Sequence, residues 1–438
     1  MMGTNRFVLF CDRGMVFSFC ALIFFLPIST ALVEWFVGLP LVLFFFKRGV
    51  VLTEAFRSKT ISFGNSNLFQ RGVLFLKAFQ PIPNPLNKPI AVFIFANFLS
   101  MIFSQYPSVS IPGFLGKVLQ NTFVYFTFLE CINTKKRVKV FLMCFMASAF
   151  LVGMSGLFQY MGGEDFLRGR GIDDSHRMRS CFRQANDLGA YLVVTIPVLF
   201  ALSFGSLFVV SKDRAFKANN FLNHGKLTTF LVVILLIISL ISLALTLSRG
   251  AWVAFSMGLL FLGLYNSRVF VVMVNIVIWF AVMGLSLLIK NREEFINPLF
   301  MFVHQSNRFV YWKGAWSIIQ DYPLLGAGVN AYSLVRNRYS IEYGGYPHNC
   351  YFQMTAETGW IGLISFLLIV FRLFSYSFSQ LKHLQDRGLY FLFLGVMSGL
   401  FGFLVNSFFD THMYSVQLGT LMWVMMGLVM VIPRVDQS

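Results

Sequence analysis

Long apolar runs separated by short polar stretches recur along the whole chain. Twelve candidates fall at roughly 14–29, 31–46, 89–107, 113–131, 139–161, 188–210, 227–247, 251–266, 269–289, 357–376, 389–409 and 413–432. A helix needs about 20 apolar residues to cross a bilayer, and in lipid only a helix or a closed barrel satisfies its own backbone. The pattern predicts an all-α integral membrane protein of about 12 transmembrane helices, organised as one polytopic domain over 1–438. The first, second and eighth runs are short, which reads as tilted spans or half-spans. The run 16–28 follows a basic start (Arg6, Arg13) and leads straight into another apolar run, so it reads as a retained span and not a cleaved leader.

The polar stretches test that count. With the N-terminus inside, alternation puts 22 Lys and Arg inside and 13 outside. The inside loop 47–88, the connector holding Lys135, Lys136, Arg137 and Lys139, and 211–226 carry most of the excess. This obeys the positive-inside rule and predicts both termini in the cytoplasm. The outside set is ten Arg to three Lys, against eleven of each inside. Topology needs only charge, so a bias to arginine points to bidentate recognition of phosphate or carboxylate.

Two outside loops are too polar for plain connectors. The smaller, 162–187, holds Arg168, Arg170, Arg177, Arg179 and Arg183; the larger, 290–356, includes an amphipathic stretch at 308–319 followed by Pro323, Gly326 and Gly328. Its aromatic content argues against disorder, and loops of such length are commonly functional.

Composition narrows the class. Of 438 residues, 57% are hydrophobic and 12% charged, with 54 Phe, against about a quarter charged in a soluble domain. The net charge of +17 raises the question of nucleic acid, but no nucleic-acid module is present. In a membrane protein basic residues set topology and meet anionic lipid head groups. The six Cys show no metal spacing. Cys181 and Cys350 fall in loops on one side, where a disulfide is an option that spacing alone does not support.

No phosphate loop, dinucleotide fingerprint, zinc-protease motif or nucleophile elbow occurs. Without a nucleotide site, an outside chemistry needs a substrate that arrives already activated. Three outside features then stand out. Ser248-Arg249-Gly250 ends the seventh span; alone, such an Arg is more often a snorkelling anchor. Asn307-Arg308 through Trp312 leads into PLLGAG at 323–328; its plain reading is an interfacial helix with Trp312 and Trp316 as belt residues. Pro347-His348-Asn349 precedes Glu357-Thr358-Gly359, and an imidazole can take a proton from a hydroxyl near neutral pH.

The series SRG, NRFVYW, PLLGAGVNAY and HNCYFQMTAETGWIGL, with RSCFRQANDLGAYL at 179–192, resembles the O-antigen ligase and polymerase superfamily of bacterial membrane glycosyltransferases. The motif likeness covers about 180–362. It implies a GT-C-like membrane-embedded enzyme of the inner membrane, with its site facing the periplasm and short helices in the large periplasmic loop. It implies transfer of a glycan from a polyprenyl (undecaprenyl) diphosphate carrier to an acceptor hydroxyl, by a metal-independent inverting reaction with no cofactor. The partners would be the carrier-linked glycan donor, a lipid or glycan acceptor such as lipid A–core, and membrane lipid. Carried over by position, Arg249 and Arg308 would bind diphosphate, His348 would be the base or its organiser, and Asp410 in NSFFDTH would be an acid. Asn186 falls at the family's characteristic Asn.

Arg183, Asn349 and Glu357 join Asn186 and Asp410 as candidate substrate contacts. Glu357 equally suits the N-terminal end of the tenth helix. Arg179 and Asp174 read as a solvated charge pair. A polymerase would share donor and loop. A bicarbonate-like transporter is the alternative from another class, but it would place ionisable groups at the bilayer midplane. The spans hold only Glu34, Lys117 and Glu130, read as lying near span ends. A structural scaffold leaves the arginines unexplained.

Overall fold

The computed structural model describes residues 2–57, 79–173, 175–204, 221, 226–264, 271–272, 274–279, 281, 308–339 and 346–437. The expected spans appear as α1 (Met2–Phe25), α2 (Thr30–Arg57), α3 (Asn87–Ile102), α4 (Pro107–Gly113), a π-helical turn (Phe114–Leu119), α5 (Gln120–Cys131), α6 (Lys135–Gly162), α7 (Ala185–Phe204), α8 (Lys226–Leu245) and α9 (Arg249–Gly263). After them come α10 (Arg308–Asp321), α11 (Tyr332–Val335), α12 (Cys350–Leu381), α13 (Arg387–Asn406) and α14 (Val416–Gln437).

Eight of these helices are long and apolar enough to cross a membrane, and α3 and α9 are shorter apolar helices. The fourth predicted span is the run α4–π–α5, continuous in helical backbone from 107 to 131. Most of the ninth, 269–289, lies outside the described residues, as do 58–78 of the loop 47–88, most of 211–226, residues 290–307 and Asp174. The chain is thus an all-α integral membrane protein.

Three helices differ from their expected bounds. The first two helices are not short: α1 has 24 residues and α2 has 28. At one end of the bundle the charges of these helices pair, with Lys47 bonding both Asp12 (2.8 Å) and Glu130 (2.7 Å) and Arg48 bonding Glu130 (2.6 Å). The tenth helix begins at Cys350 and not 357, because Asn349 caps it: its Oδ1 accepts from the amides of Tyr351 (2.9 Å) and Phe352 (3.1 Å).

Helices α7, α13 and α14 form the protein-enclosed centre, with 83%, 83% and 89% of their apolar windows buried, against 11% for α2 on the lipid side. Small residues let α7, α9 and α13 approach closely, as in other membrane bundles. A Cβ on Gly399 would stand 2.6 Å from the Val194 carbonyl oxygen, and one on Gly402 2.9 Å from that of Ala254.

Because successive spans reverse direction, the connections collect at two ends. One end gathers 26–29, 103–106, 163–173, 175–184, 246–248, 308–339, 346–349 and 407–415. It is cross-braced by Arg168 to the Ile28 carbonyl (2.7 Å) and Ser104 to the Ala327 carbonyl (3.0 Å). The opposite end holds the Lys47 cluster, Asp386 capping α13, and Asp436 accepting from the amides of Gln385 and Asp386.

Candidate functional site

The PLLGAGVN and AETGW motifs form one joint. Gly359 breaks α12 with φ +66° and ψ −174°. A break frees backbone groups that must find partners, at several kcal/mol each in a dry interior. The turn after α10 supplies them. The amides of Ala327 and Gly328 donate to the carbonyls of Ala356 (3.0 Å) and Glu357 (2.9 Å), and the Trp360 amide donates to the Pro323 carbonyl (2.8 Å). Contact is close enough to demand glycine on both sides. A Cβ on Gly326 would lie 2.2 Å from the Glu357 carbonyl carbon, and one on Gly359 2.0 Å from the Leu324 oxygen.

This joint holds α10 and the N-terminal end of α12 against the turn between α13 and α14. Trp312 of α10 donates its indole N–H to the Pro347 carbonyl at 2.8 Å. His348 follows with left-handed backbone (φ +45°), and Asn349 caps α12. The Cys350 amide donates to the Ser407 carbonyl (2.8 Å), and its thiol to the Asp410 carbonyl (3.2 Å). Each residue of His348-Asn349-Cys350 thus has one task in seating the imidazole beside Asp410. A non-glycine residue with positive φ is a strain that folds tend to keep at functional sites.

His348 Nδ1 lies 2.9 Å from Asp410 Oδ1, with the imidazole side chain 35% exposed and the carboxylate 9%. The other oxygen, Oδ2, accepts from Asn186 Nδ2 at 2.8 Å. Asn186 in turn accepts from Arg177 Nη2 at 2.5 Å, and Arg177 Nε donates to the Thr246 carbonyl at 2.9 Å. One residue further on, Asp187 faces buried His412 at 3.5 Å. Burial alone would raise the Asp410 carboxyl. The His348 hydrogen bond, the charges of His412 and His348 and the Thr411 amide outweigh it and hold the group well below the ordinary carboxylate range. An ionised Asp410 can only accept, so His348 Nδ1 carries the hydrogen between them.

Two arginines feel this carboxylate electrostatically, Arg177 and Arg308, and Arg249 lies near both. Arg249 is the first residue of α9, whose start is pressed against the α13–α14 turn: a Cβ on Gly250 would stand 2.8 Å from Phe409 Cβ. Arg308 is the first residue of α10. Burial lowers the Arg308 guanidinium from its ordinary value, Asp410 opposes that, and Arg249 adds to it. Arg177 is likewise lowered, by burial first, with Arg249 and Arg308 contributing and Asp173 and Asp410 opposing. Arg177 and Arg308 thus each feel both the Asp410 carboxylate and the Arg249 guanidinium. Among the described residues neither Arg249 nor Arg308 is closed off by a carboxylate at ion-pair distance, which leaves planar donor forks open to an anion.

Of the residues singled out by sequence, His348, Arg249, Arg308, Asn186 and Asp410 come together. Arg183 stands exposed before α7. The Asn349 side-chain oxygen is spent on the cap. Glu357 is buried eight residues into α12 and belongs to another cluster. Its carboxylate accepts from the Asn330 amide (2.9 Å) and Gln353 (3.0 Å), while Lys117, on the π-turn, donates to Asn330 Oδ1 (2.6 Å). Lys117 thus sits mid-run and not at a span end. Cys181 and Cys350 are free thiols; Cys181 bonds the Pro27 carbonyl instead. Arg179 donates to the Gly171 carbonyl (2.7 Å). Arg177 and His412 are additions. Arg177 is one of five arginines in its loop, and no spacing marks it out.

Among the described residues no group of three His, Cys, Asp or Glu is placed to hold a metal ion. No curated protein matches the chain. Residues 234–367 match the family model described as O-antigen ligase. The match contains Arg249, Arg308 and His348 and stops short of Asp410, which the fold returns to His348 from the next inter-helix turn. That match, set in an all-helical membrane bundle, supports a likeness of residues 234–367 to the O-antigen ligase and polymerase superfamily.

Proposed function

We propose that the protein transfers a glycan from a polyprenyl diphosphate carrier to an acceptor hydroxyl such as that of lipid A–core. The reaction takes place at the periplasmic face of the inner membrane. The observation that carries this reading is the His348–Asp410 pair at 2.9 Å within the field of Arg177, Arg249 and Arg308. His348 Nε2 takes the acceptor O–H proton as the oxygen attacks the anomeric carbon. The bond from that carbon to the phosphate oxygen breaks, and the carrier diphosphate leaves with the electron pair. A single displacement of this kind inverts the anomeric centre. Arg249 and Arg308 stabilise the charge that develops on the leaving group, where fixed cations outside bulk water count most. Their forks also orient the phosphates, so the sugar is held for attack. Positive charge supplied by guanidinium makes a metal unnecessary.

The test is transfer by the purified protein in nanodiscs, given carrier-linked glycan and either lipid A–core or a second carrier-linked glycan. Label moving to lipid A–core supports the ligase. Label moving only to the second carrier makes the protein a polymerase. Hydrolysis-free recovery of donor with both acceptors overturns glycan transfer and returns the transporter reading.

A further inference from the structure

The faces of α1 and α6 carry a feature that the proposed reaction does not use. The two helices run in the same direction and pack side by side, tied near one end by Ser148 Oγ donating to the Phe24 carbonyl at 2.7 Å. Between them lies a groove of about 540 Å³, within the range of about 300–1,000 Å³ common for ligand sites. Its floor is hollow because Cys20, Ala21 and Cys144 are small, while Phe17 and Val140 stand exposed at its edges. The stripe on α1 begins with Arg13 and the stripe on α6 begins with Arg137, so both cations sit at the same end. That end is level with the Lys47–Asp12 ion pair, which marks it as the polar boundary opposite the His348 site. Arg137 uses Nη1 on the Cys131 carbonyl and Asn133 and has Nη2 and Nε for another acceptor.

From Arg13 to Phe25 the groove follows α1 for about 18 Å at 1.5 Å per residue. One leaflet of hydrocarbon is about 15 Å, half of the roughly 30 Å core. An apolar slot one leaflet deep with two arginines at its polar end matches an acyl chain capped by a phosphate.

We infer that the α1–α6 groove is a binding site for one anionic phospholipid, its acyl chain on Ala21 and Cys144 and its head-group phosphate between Arg13 and Arg137. The site lies at the opposite end of the bundle from His348 and does not depend on the proposed reaction. A phosphatidylglycerol would outcompete a phosphatidylcholine because the latter carries a trimethylammonium toward the same arginines.

Native mass spectrometry of the full chain, released from nanodiscs of mixed phosphatidylglycerol and phosphatidylcholine, reads the lipid retained. Two cationic contacts of about fivefold each give an expected preference of about 25-fold for phosphatidylglycerol. Arg13→Ala with Arg137→Ala removes that preference, and Ala21→Phe removes retention of both lipids while leaving the arginines in place. Melting in pure phosphatidylcholine controls for folding: all variants match the wild type there, and only the wild type gains stability when phosphatidylglycerol is added. Equal retention of the two lipids overturns the inference. So does a double arginine variant that still selects phosphatidylglycerol, a loss of stability equal in both lipids, or a second copy of the chain retained in place of lipid.

Discussion

Asp410 Oδ1 and His348 Nδ1 meet at 2.9 Å although they belong to different inter-helix connections. What brings them together is backbone. The Cys350 amide is bonded to the Ser407 carbonyl and the Cys350 thiol to the carbonyl of Asp410 itself. The imidazole is therefore oriented by a carboxylate whose own position is set by the residue two places after the histidine. With Nδ1 engaged by an acceptor-only partner, Nε2 is the ring nitrogen that the proposed reaction uses as its base.

Removing either member of this pair should cost rate and not fold. General-base catalysis is worth about 10²–10⁴-fold, so His348→Ala is expected to lower transfer by that much. Asp410→Asn keeps the shape but can present its amide N–H to Nδ1, which favours the wrong tautomer, and should fall in the same range. Groups that act as a unit are not additive. The double variant should be about as slow as the worse single one in a nanodisc transfer assay. Multiplied losses would mean that the two residues act independently.

The Asp410 carboxyl is held well below its ordinary value near 3.8. A depressed carboxylate adds stability above its unfolded value, and that contribution is lost only as pH falls through the lower folded value. Asp410 should therefore stay ionised from pH 5 to pH 8. Infrared difference spectra of wild type minus Asp410→Asn should show a carboxylate band throughout that window. A protonated-acid carbonyl band at pH 5 would refute the assignment.

Much of this was legible in the chain. The apolar runs announce a helical membrane bundle, and Arg249, Arg308 and His348 are marked by short motifs that the fold gathers at one end. The joint between 323–328 and 356–360 explains why those motifs occur together: Gly326 and Gly359 each lie where a side chain would strike the backbone of the other segment. Glu357 could not be assigned from spacing, because its partners Lys117, Asn330 and Gln353 come from three separate elements. Arg177 was hidden for a related reason. Its importance lies in reaching Asn186 and Thr246 at once, a property of loop geometry that no local pattern encodes. The start of α12 at Cys350 rests on the Asn349 cap, and Gln353, Thr355 and Glu357 interrupt the apolar pattern of its first two turns.

The arginines should be irreplaceable by lysine. A point charge keeps attraction to a diphosphate but not the planar fork. Removing one preorganised donor to developing charge costs about 10²–10³-fold, so Arg308→Ala and Arg249→Ala should lose that much, with Arg308→Lys recovering little. Arg177→Ala should lose less, since Arg177 acts through Asn186. Chelation with EDTA should leave wild-type transfer unchanged, and a strict requirement for added divalent ion would remove the arginines from the role of neutralising the leaving group.

Two glycine substitutions should separate folding from positioning. Gly359→Ala places a methyl 2.0 Å from the Leu324 oxygen at a residue with φ +66°. Neither neighbour can yield, because that backbone fills the break in α12, so the variant should fail to give monodisperse protein in detergent. Gly250→Ala is milder. Its methyl would meet Phe409 Cβ at 2.8 Å and Cγ at 3.1 Å, and overpacking of this kind costs about 1–3 kcal/mol. The helix carrying Arg249 can relieve the clash by moving away from the α13–α14 turn, which draws the guanidinium off the site. Gly250→Ala should therefore purify normally, melt a few degrees lower, and bind carrier diphosphate more weakly. A variant that melts lower but keeps full affinity for the carrier would show that Gly250 serves packing alone.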